Sequence, residues 1–248
     1  MSGFDSLGRP PRIEPPYPGW PVTHIATVEA AIVEAMRRVL ATKSSQEIEA
    51  AKEDRITEWL EDQLCCLLNA EEVPGFESSV FEQPSRDAET VNFSGDKISK
   101  APDLTFKRLS HFSCAVDTRQ DAWFCECKIL DGKTGHGVKD YIDNGLMRFV
   151  VGDYAWAMPS AQMIGYVRRE AAKAYAPARQ LHDYFAEQEP KSGVRYADLS
   201  SLQGEHTQGR ASNGVLPIHA TIHIRAFPLR NHALPGAIAL RHLWFQMV

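Results

Sequence analysis

Ala101-Pro102-Asp103-Leu104-Thr105-Phe106, answered by Trp123-Phe124-Cys125-Glu126-Cys127-Lys128-Ile129-Leu130, is the pair of segments whose reading decides the fold. Each is short and apolar, and each carries one carboxylate. Strand side chains alternate between faces with period 2. Phe124, Glu126, Lys128 and Leu130 therefore share one face, and Trp123, Cys125, Cys127 and Ile129 the other. Glu126 and Lys128 become neighbours inside a run apolar enough to be core. Charges there are costly to bury unless they are paired or bind a metal. Asp103 precedes Glu126 by 23 positions, enough for one strand, a turn and the return strand. If the two strands pair, both carboxylates reach one spot and can hold a divalent cation by oxygen ligands. Lys128 beside it would orient or polarise a water, or offset charge on a phosphate. A cation, carboxylates and a lysine are the parts needed to hydrolyse a phosphodiester.

The rest of the chain bounds this reading. Its 248 residues, 44% hydrophobic and 24% charged, fit one large domain with a sizeable core. No apolar run is long enough to span a membrane, and no basic-then-apolar leader opens the sequence, so a cytoplasmic protein is expected. Five cysteines, an odd count without regular spacing, argue against a disulfide framework. Cys125-Glu126-Cys127 is not the C-x-x-C of common zinc sites, and both thiols read as buried structural groups. A net charge of −5 argues against a broad basic surface and leaves room for a partner protein that supplies DNA contacts.

Taken in order, residues 1–22 form a proline-rich arm, with Tyr17 and Trp20 expected to dock, and residues 23–248 form one domain. Thr27 is expected to cap a helix running to Thr42, and Ser44 or Ser45 a second helix running to Asn69. Glu53 falls in the apolar stripe of that second helix with Ile56, Leu60 and Leu64, where a carboxylate needs a partner. Phe76 to Glu82 reads as a strand, followed by a polar loop. Asp131 to Gly137 is glycine-rich and partly basic, but lacks the G-x-x-x-x-G-K-[ST] spacing of a nucleotide loop. Val138 to Asp153 reads as a helix carrying Arg148, Gln162 to Val167 as a buried strand, and Glu170 to Glu187 as a helix interrupted at Pro177. Near the end, Pro217 to Phe227 alternates. Ile218, Ala220, Ile222 and Ile224 share one face, while His219, Thr221, His223 and Arg225 form a polar face expected to meet phosphate. Ala237 to Met247 reads as a final strand.

Pro102-Asp103 followed by Glu126-Cys127-Lys128 resembles the PD-(D/E)xK nuclease superfamily, the restriction-endonuclease-like fold, over about residues 45–170. The resemblance implies an α/β (α+β) architecture: a mixed sheet flanked by helices, with extra strands in a C-terminal extension over about 190–248. It further implies Mg2+, with Mn2+ able to substitute, held by Asp103, Glu126 and the backbone carbonyl of Cys127. Lys128 would act on the attacking water. Glu53 would complete the acidic cluster from the preceding helix, with Glu49 and Glu58 as alternatives. The segment after the Glu-x-Lys strand borders the site in such nucleases, so Lys133 and His136 are candidate DNA contacts, together with Arg148, His223 and Arg225. The implied function is a DNA endonuclease of a restriction or anti-phage defence system, acting with an ATPase or helicase partner or as a homo-oligomer. Two alternatives stand beside it: a non-catalytic nucleic-acid-binding subunit with the same fold, and an RNA nuclease.

Overall fold

The strand that carries Glu126 and Lys128 is buried along its whole length. It spans Ala122–Leu130 (β2), and all nine residues are buried. A strand covered on both faces belongs in the middle of a sheet flanked by helices. The structure, a computed structural model, describes residues 12–96, 101–131, 137–168, 177–192, 200–201 and 218–247.

Leu104–Lys107 (β1) pairs antiparallel with β2, matching Leu104 to Cys125 and Thr105 to Phe124. Ser160–Arg168 (β3) lies parallel on the other side of β2, with Glu126 beside Met163 and Lys128 beside Gly165. Ser200–Ser201 (β4), His219–His223 (β5) and Ile238–Met247 (β6) complete a six-stranded mixed sheet in the order β1-β2-β3-β6-β5-β4. The expected C-terminal strand pair does extend the sheet, and β6 inserts parallel to β3 in its centre.

One face is covered by Val22–Thr42 (α1) and Glu53–Ala70 (α3). Their apolar stripes, with Val28, Ile32 and Met36 on one and Ile56, Leu60 and Leu64 on the other, are fully buried. Two polar ties fix this layer to the sheet. Glu29 of α1 takes Arg241 of β6 in a two-pronged ion pair at 2.6 and 2.7 Å, and the Thr57 and Tyr166 hydroxyls meet at 3.1 Å. Over the opposite face run Val138–Tyr141 (α4), a π-helical turn at Ile142–Leu146 and Met147–Val150 (α5). Pro177–Ser192 (α6) begins at the proline expected to interrupt the longer helix, a residue suited to a first helical turn.

Three expectations are corrected. α1 starts at Val22, not after Thr27, because Ile25 is buried and continues the stripe of Val28 and Ile32 upstream. The helix read as continuous to Asn69 breaks at Ala51-Lys52, leaving the short helix Ser45–Ala50 (α2) behind a Ser44–Glu47 capping box. That break makes Glu53 the first residue of α3. Phe76 to Glu82 forms turns with a single bridge from Phe81 to Arg108, not a strand. Phe76 and Phe81 pack with their rings tilted, 5.5 Å between centroids, and are both buried, which an extended segment of that spacing could not achieve.

The arm docks as expected over its described part. Tyr17 and Trp20 are buried, and the Trp20 indole donates to Asp121 at 2.8 Å. Among the described residues, no helix is long and apolar enough to cross a membrane.

Candidate functional site

β2 sets the site by its alternation. Cys127 and Ile129 face α3, and Glu126 and Lys128 face the α4–α5 layer. Gly145, in the π-helical turn, makes the close approach possible. A Cβ there would lie 2.8 Å from Met163 Cε, 3.3 Å from Lys128 Cγ and 3.6 Å from Glu126 Cγ. π-helical turns within α-helical segments often accompany functional sites.

Around these two residues converge groups from four other segments. The register that pairs Leu104 with Cys125 sets Asp103 across from Glu126, one step before β1 begins. Asp103 Oδ2 accepts the Cys127 amide at 2.6 Å. Glu53, at the start of α3, accepts Lys128 Nζ at 2.8 Å through Oε1 and the Ile129 amide at 2.9 Å through Oε2. Lys128 Nζ also donates to the Cys127 carbonyl at 2.8 Å and lies 3.0 Å from Glu126 Oε1. Tyr154, in the turn after α5, donates to Glu126 Oε2 at 2.8 Å and accepts from Arg148 Nη1 at 2.6 Å. Arg148 Nη1 lies 3.3 Å from Glu126 Oε1.

The electrostatics follow from three carboxylates and two cations in little water. Burial, and then the negative charge of Glu126, lift the Asp103 carboxyl from its ordinary range to about 7. Burial also raises Glu126, against the pull of Lys128 and Arg148. For Lys128, burial acts to lower the pKa, but Glu126, Glu53 and Asp103 together outweigh it and raise it. Lys128 is therefore a firm ammonium at neutral pH. Its Nζ sits among a carboxylate of α3, a carboxylate of β2 and a backbone carbonyl, the oxygen types that Mg2+ also takes.

A cleft of about 550 Å³ opens onto this cluster, lined by Lys52, Glu53, Lys128, Asn144, Arg148 and Arg168 among others. It lies toward the carboxyl ends of the parallel strands β2 and β3, the usual place for ligands in open α/β sheets. Arg168 closes one side by donating to the Ala51 carbonyl, where the helix breaks.

The donor set fits a hard divalent cation in type. Asp103, Glu126 and Glu53 supply carboxylate oxygens, and Glu126 Oε1, though close to two cations, accepts no well-formed hydrogen bond. It is not a ready-made cage: among the described residues, no three His, Cys, Asp or Glu side chains are grouped to hold a metal ion.

The structure brings together Asp103, Glu126, Lys128, the Cys127 carbonyl, Glu53 and Arg148. The alternatives to Glu53 lie elsewhere, since Glu49 is exposed and Glu58 pairs with Arg55 at 2.5 Å. Lys133 and His136 fall outside the described residues. His223 and Arg225 are corrected: they are only 1% and 3% exposed and present no polar face to a phosphate. Arg225 is consumed by the carbonyls of Ala155, Trp156, Pro235 and Gly236. His223 joins a buried chain in which its Nε2 meets the Thr221 hydroxyl at 2.7 Å, Thr221 meets His242 Nε2 at 2.8 Å, and His242 Nδ1 meets the Tyr141 hydroxyl at 2.8 Å. Ile222 and Ile224, expected inside, are 47% and 61% exposed. Sequence reading missed Tyr154, Gly145 and Arg168, none of which sits in a spacing that signals chemistry.

No model of a known protein family matches this chain, and no curated protein and no solved structure matches it.

Proposed function

We propose that the chain is a Mg2+-dependent nuclease of the PD-(D/E)xK type that hydrolyses phosphodiester bonds in DNA. The observation that carries this reading is the convergence of Asp103, Glu126, Glu53 and Lys128, from three separate elements, behind a cleft that Glu53 and Lys128 line. Burying three carboxylates around one lysine costs stability, and a fold would be more stable without them. Function is the economical reason to keep them.

In this reading Asp103, Glu126 and the Cys127 carbonyl would hold the cation, with Glu53 as a further oxygen donor. The bound cation would supply an acidified water and a Lewis acid toward the phosphate. The chain's own residues do the rest. Lys128, held as an ammonium, acts through charge and hydrogen bonding: it orients the attacking water and attracts the phosphate, and its raised pKa makes it a poor proton acceptor. Asp103 is fixed by the Cys127 amide, so its second oxygen keeps a defined direction. The cleft is lined by cations and carboxylates in nearly equal number, and the chain's net charge is −5, so broad DNA contacts are left to a partner, such as an ATPase or helicase of a defence system.

A second reading is a non-catalytic subunit of the same fold. One observation favours it: Lys128 Nζ already fills the space between Glu53, Glu126 and the Cys127 carbonyl. Duplex DNA, single-stranded DNA and single-stranded RNA incubated side by side with Mg2+, Mn2+ or EDTA, and a parallel Mn2+ titration by calorimetry, separate the two. Metal-dependent cutting of DNA supports the first reading. A chain that takes up no divalent cation, alone or with nucleic acid, overturns it.

A further inference from the structure

Arg148 is the cation of the site whose geometry the Glu-x-Lys pattern does not account for. Its side chain is 39% exposed, whereas Glu126 beside it is wholly buried and Lys128 is 9% exposed. Its Nη1 is committed inward, to the Tyr154 hydroxyl at 2.6 Å and toward Glu126 at 3.3 Å. Among the described residues, its Nε and Nη2 donate to nothing in the protein. Arg148 lines the cleft, one helical turn beyond Gly145, whose missing side chain lets this helical segment press onto β2. The ring of Tyr154 lies under the guanidinium, 5.9 Å from centroid to carbon, and packs edge-on against Phe149 at 5.3 Å. An arginine anchored at one nitrogen in the wall of a cleft, with the rest of its planar fork uncommitted among the described residues, has lost most of its rotamer freedom before any ligand arrives. Such a fork suits a tetrahedral oxyanion, which takes two parallel N–H groups.

We propose that Arg148 is a pre-organised phosphate clamp and that Tyr154 is the positioning residue that sets it, resting on the nuclease reading for the identity of the anion as a DNA phosphodiester. One hydroxyl serves two groups. It donates to Glu126 Oε2 and accepts from Arg148, so the carboxylate and the guanidinium are held at a fixed separation. Removing the hydroxyl leaves Arg148 charged and in the cleft, but free to turn. Removing the guanidinium takes away the clamp and leaves Tyr154 on Glu126.

The test is binding without cleavage, on the full chain in EDTA. Fluorescence anisotropy of a labelled short DNA duplex is followed across a range of salt, with inorganic pyrophosphate as competitor and a thermal melt for each variant. Arg148→Gln is expected to weaken binding about tenfold and to lower the salt slope by about one counterion. Arg148→Lys should restore the slope and only part of the affinity, because the charge returns without the fork. Tyr154→Phe should weaken binding about threefold with the slope unchanged, a pattern that a merely structural tyrosine would not give. Folded Arg148→Gln protein with wild-type affinity and slope overturns the clamp and leaves the nuclease reading standing. Pyrophosphate binding that depends on Arg148, in a chain that binds no DNA and takes up no divalent cation, keeps the clamp and overturns the nuclease reading. A wild-type chain that binds neither anion overturns the clamp.

Discussion

Glu126 and His242 lie in the same row of the sheet, and the polar groups around them could hardly be more different. The register runs Glu126 to Met163, Met163 to His242, and His242 to His219, so all four side chains share one face. At the β2 end, three carboxylates and two cations crowd together beside open solvent. At the β5 and β6 end, Tyr141, His242, Thr221 and His223 form a buried chain of neutral hydrogen bonds. The second arrangement links two hydroxyls and two imidazoles to one another, which is how a polar core stabilises a fold. The first gathers charge whose desolvation opposes folding. Burial of polar groups therefore does not by itself mark a site. Surplus charge beside an opening does.

The sharpest way to break this contrast is to remove members of each strip and watch two readouts. Asp103→Ala, Glu126→Ala or Lys128→Met should each lower cleavage by about three orders of magnitude or more, as groups acting as one unit do. All three should still melt cooperatively, and Lys128→Met should keep its Mn2+ affinity in a calorimetric titration, since the lysine is not a ligand. Folded variants that cut like wild type would place both strips in the structural class.

Thr221→Val makes the opposite demand. It removes the hydroxyl shared by two buried imidazoles and should cost about 2–3 kcal/mol of stability, seen in urea or thermal melts. Cleavage at 25 °C should stay within a factor of about two. A large loss of rate in a folded Thr221→Val protein would mean the closed chain takes part in the chemistry.

The two strips should also respond to pH with opposite sign in metal-free buffer. The Asp103 carboxyl, lifted to about 7 by burial and by Glu126, holds its proton more tightly in the folded chain than in the unfolded one. Its stabilising contribution is complete below about pH 4 and is lost as pH rises through 7. Burial lowers His223 to about 4, so the unfolded chain binds that proton first. Stability from this group is complete above about pH 6.5 and is lost as pH falls toward 4. Each slope is at most about 1.4 kcal/mol per pH unit, and they oppose each other between about pH 4 and 6.5. His242, also lowered by burial, adds to the acid limb. Asp103→Asn should therefore steepen acid destabilisation in that window, and His223→Gln should flatten it, because His242 still opposes Asp103. Urea midpoints measured at half-unit steps of pH check both. Two variants with the wild-type profile would mean that neither group titrates as described.

Gly145→Ala sharpens the comparison at its finest scale. The added methyl meets the flexible end of Met163 and the stem of Lys128, so a cost of about 1 kcal/mol is expected with a cleavage loss of roughly tenfold or less. The same substitution at Gly137, where nothing among the described residues lies within 4 Å, should leave cleavage unchanged.

How much of this could be read from the sequence depended on which physical signal each residue carried. The period of β2 showed that Glu126 and Lys128 share a face, and the apolar run showed that they are buried. Glu53 was found because a carboxylate in an apolar stripe needs a partner. The break that lets it face β2 was not visible, because Ala51-Lys52 contains neither proline nor glycine. Alternation in β5 distinguished two faces correctly but could not say which was inside. Polar groups that bond to one another, as Thr221, His223 and His242 do, can be buried in preference to Ile222 and Ile224. Tyr154 reaches Glu126 from a turn in which Ala155 takes a left-handed conformation with φ of 51°, a path that no periodicity predicts.

The parallel pairing of β3 with β6 bears on how this protein is handled at the bench. Met247 lies opposite Arg168, and Arg168 is part of the cleft wall. A label attached at the Met247 end of β6 therefore sits beside the cleft wall, where a metal-chelating group would take up added Mn2+ or obstruct a long duplex. Labels are better carried by exposed positions outside the cleft lining, such as Val22 or Leu234, which are 79% and 69% exposed. A preparation labelled beside Met247 is a poor choice for concluding that the protein is inactive.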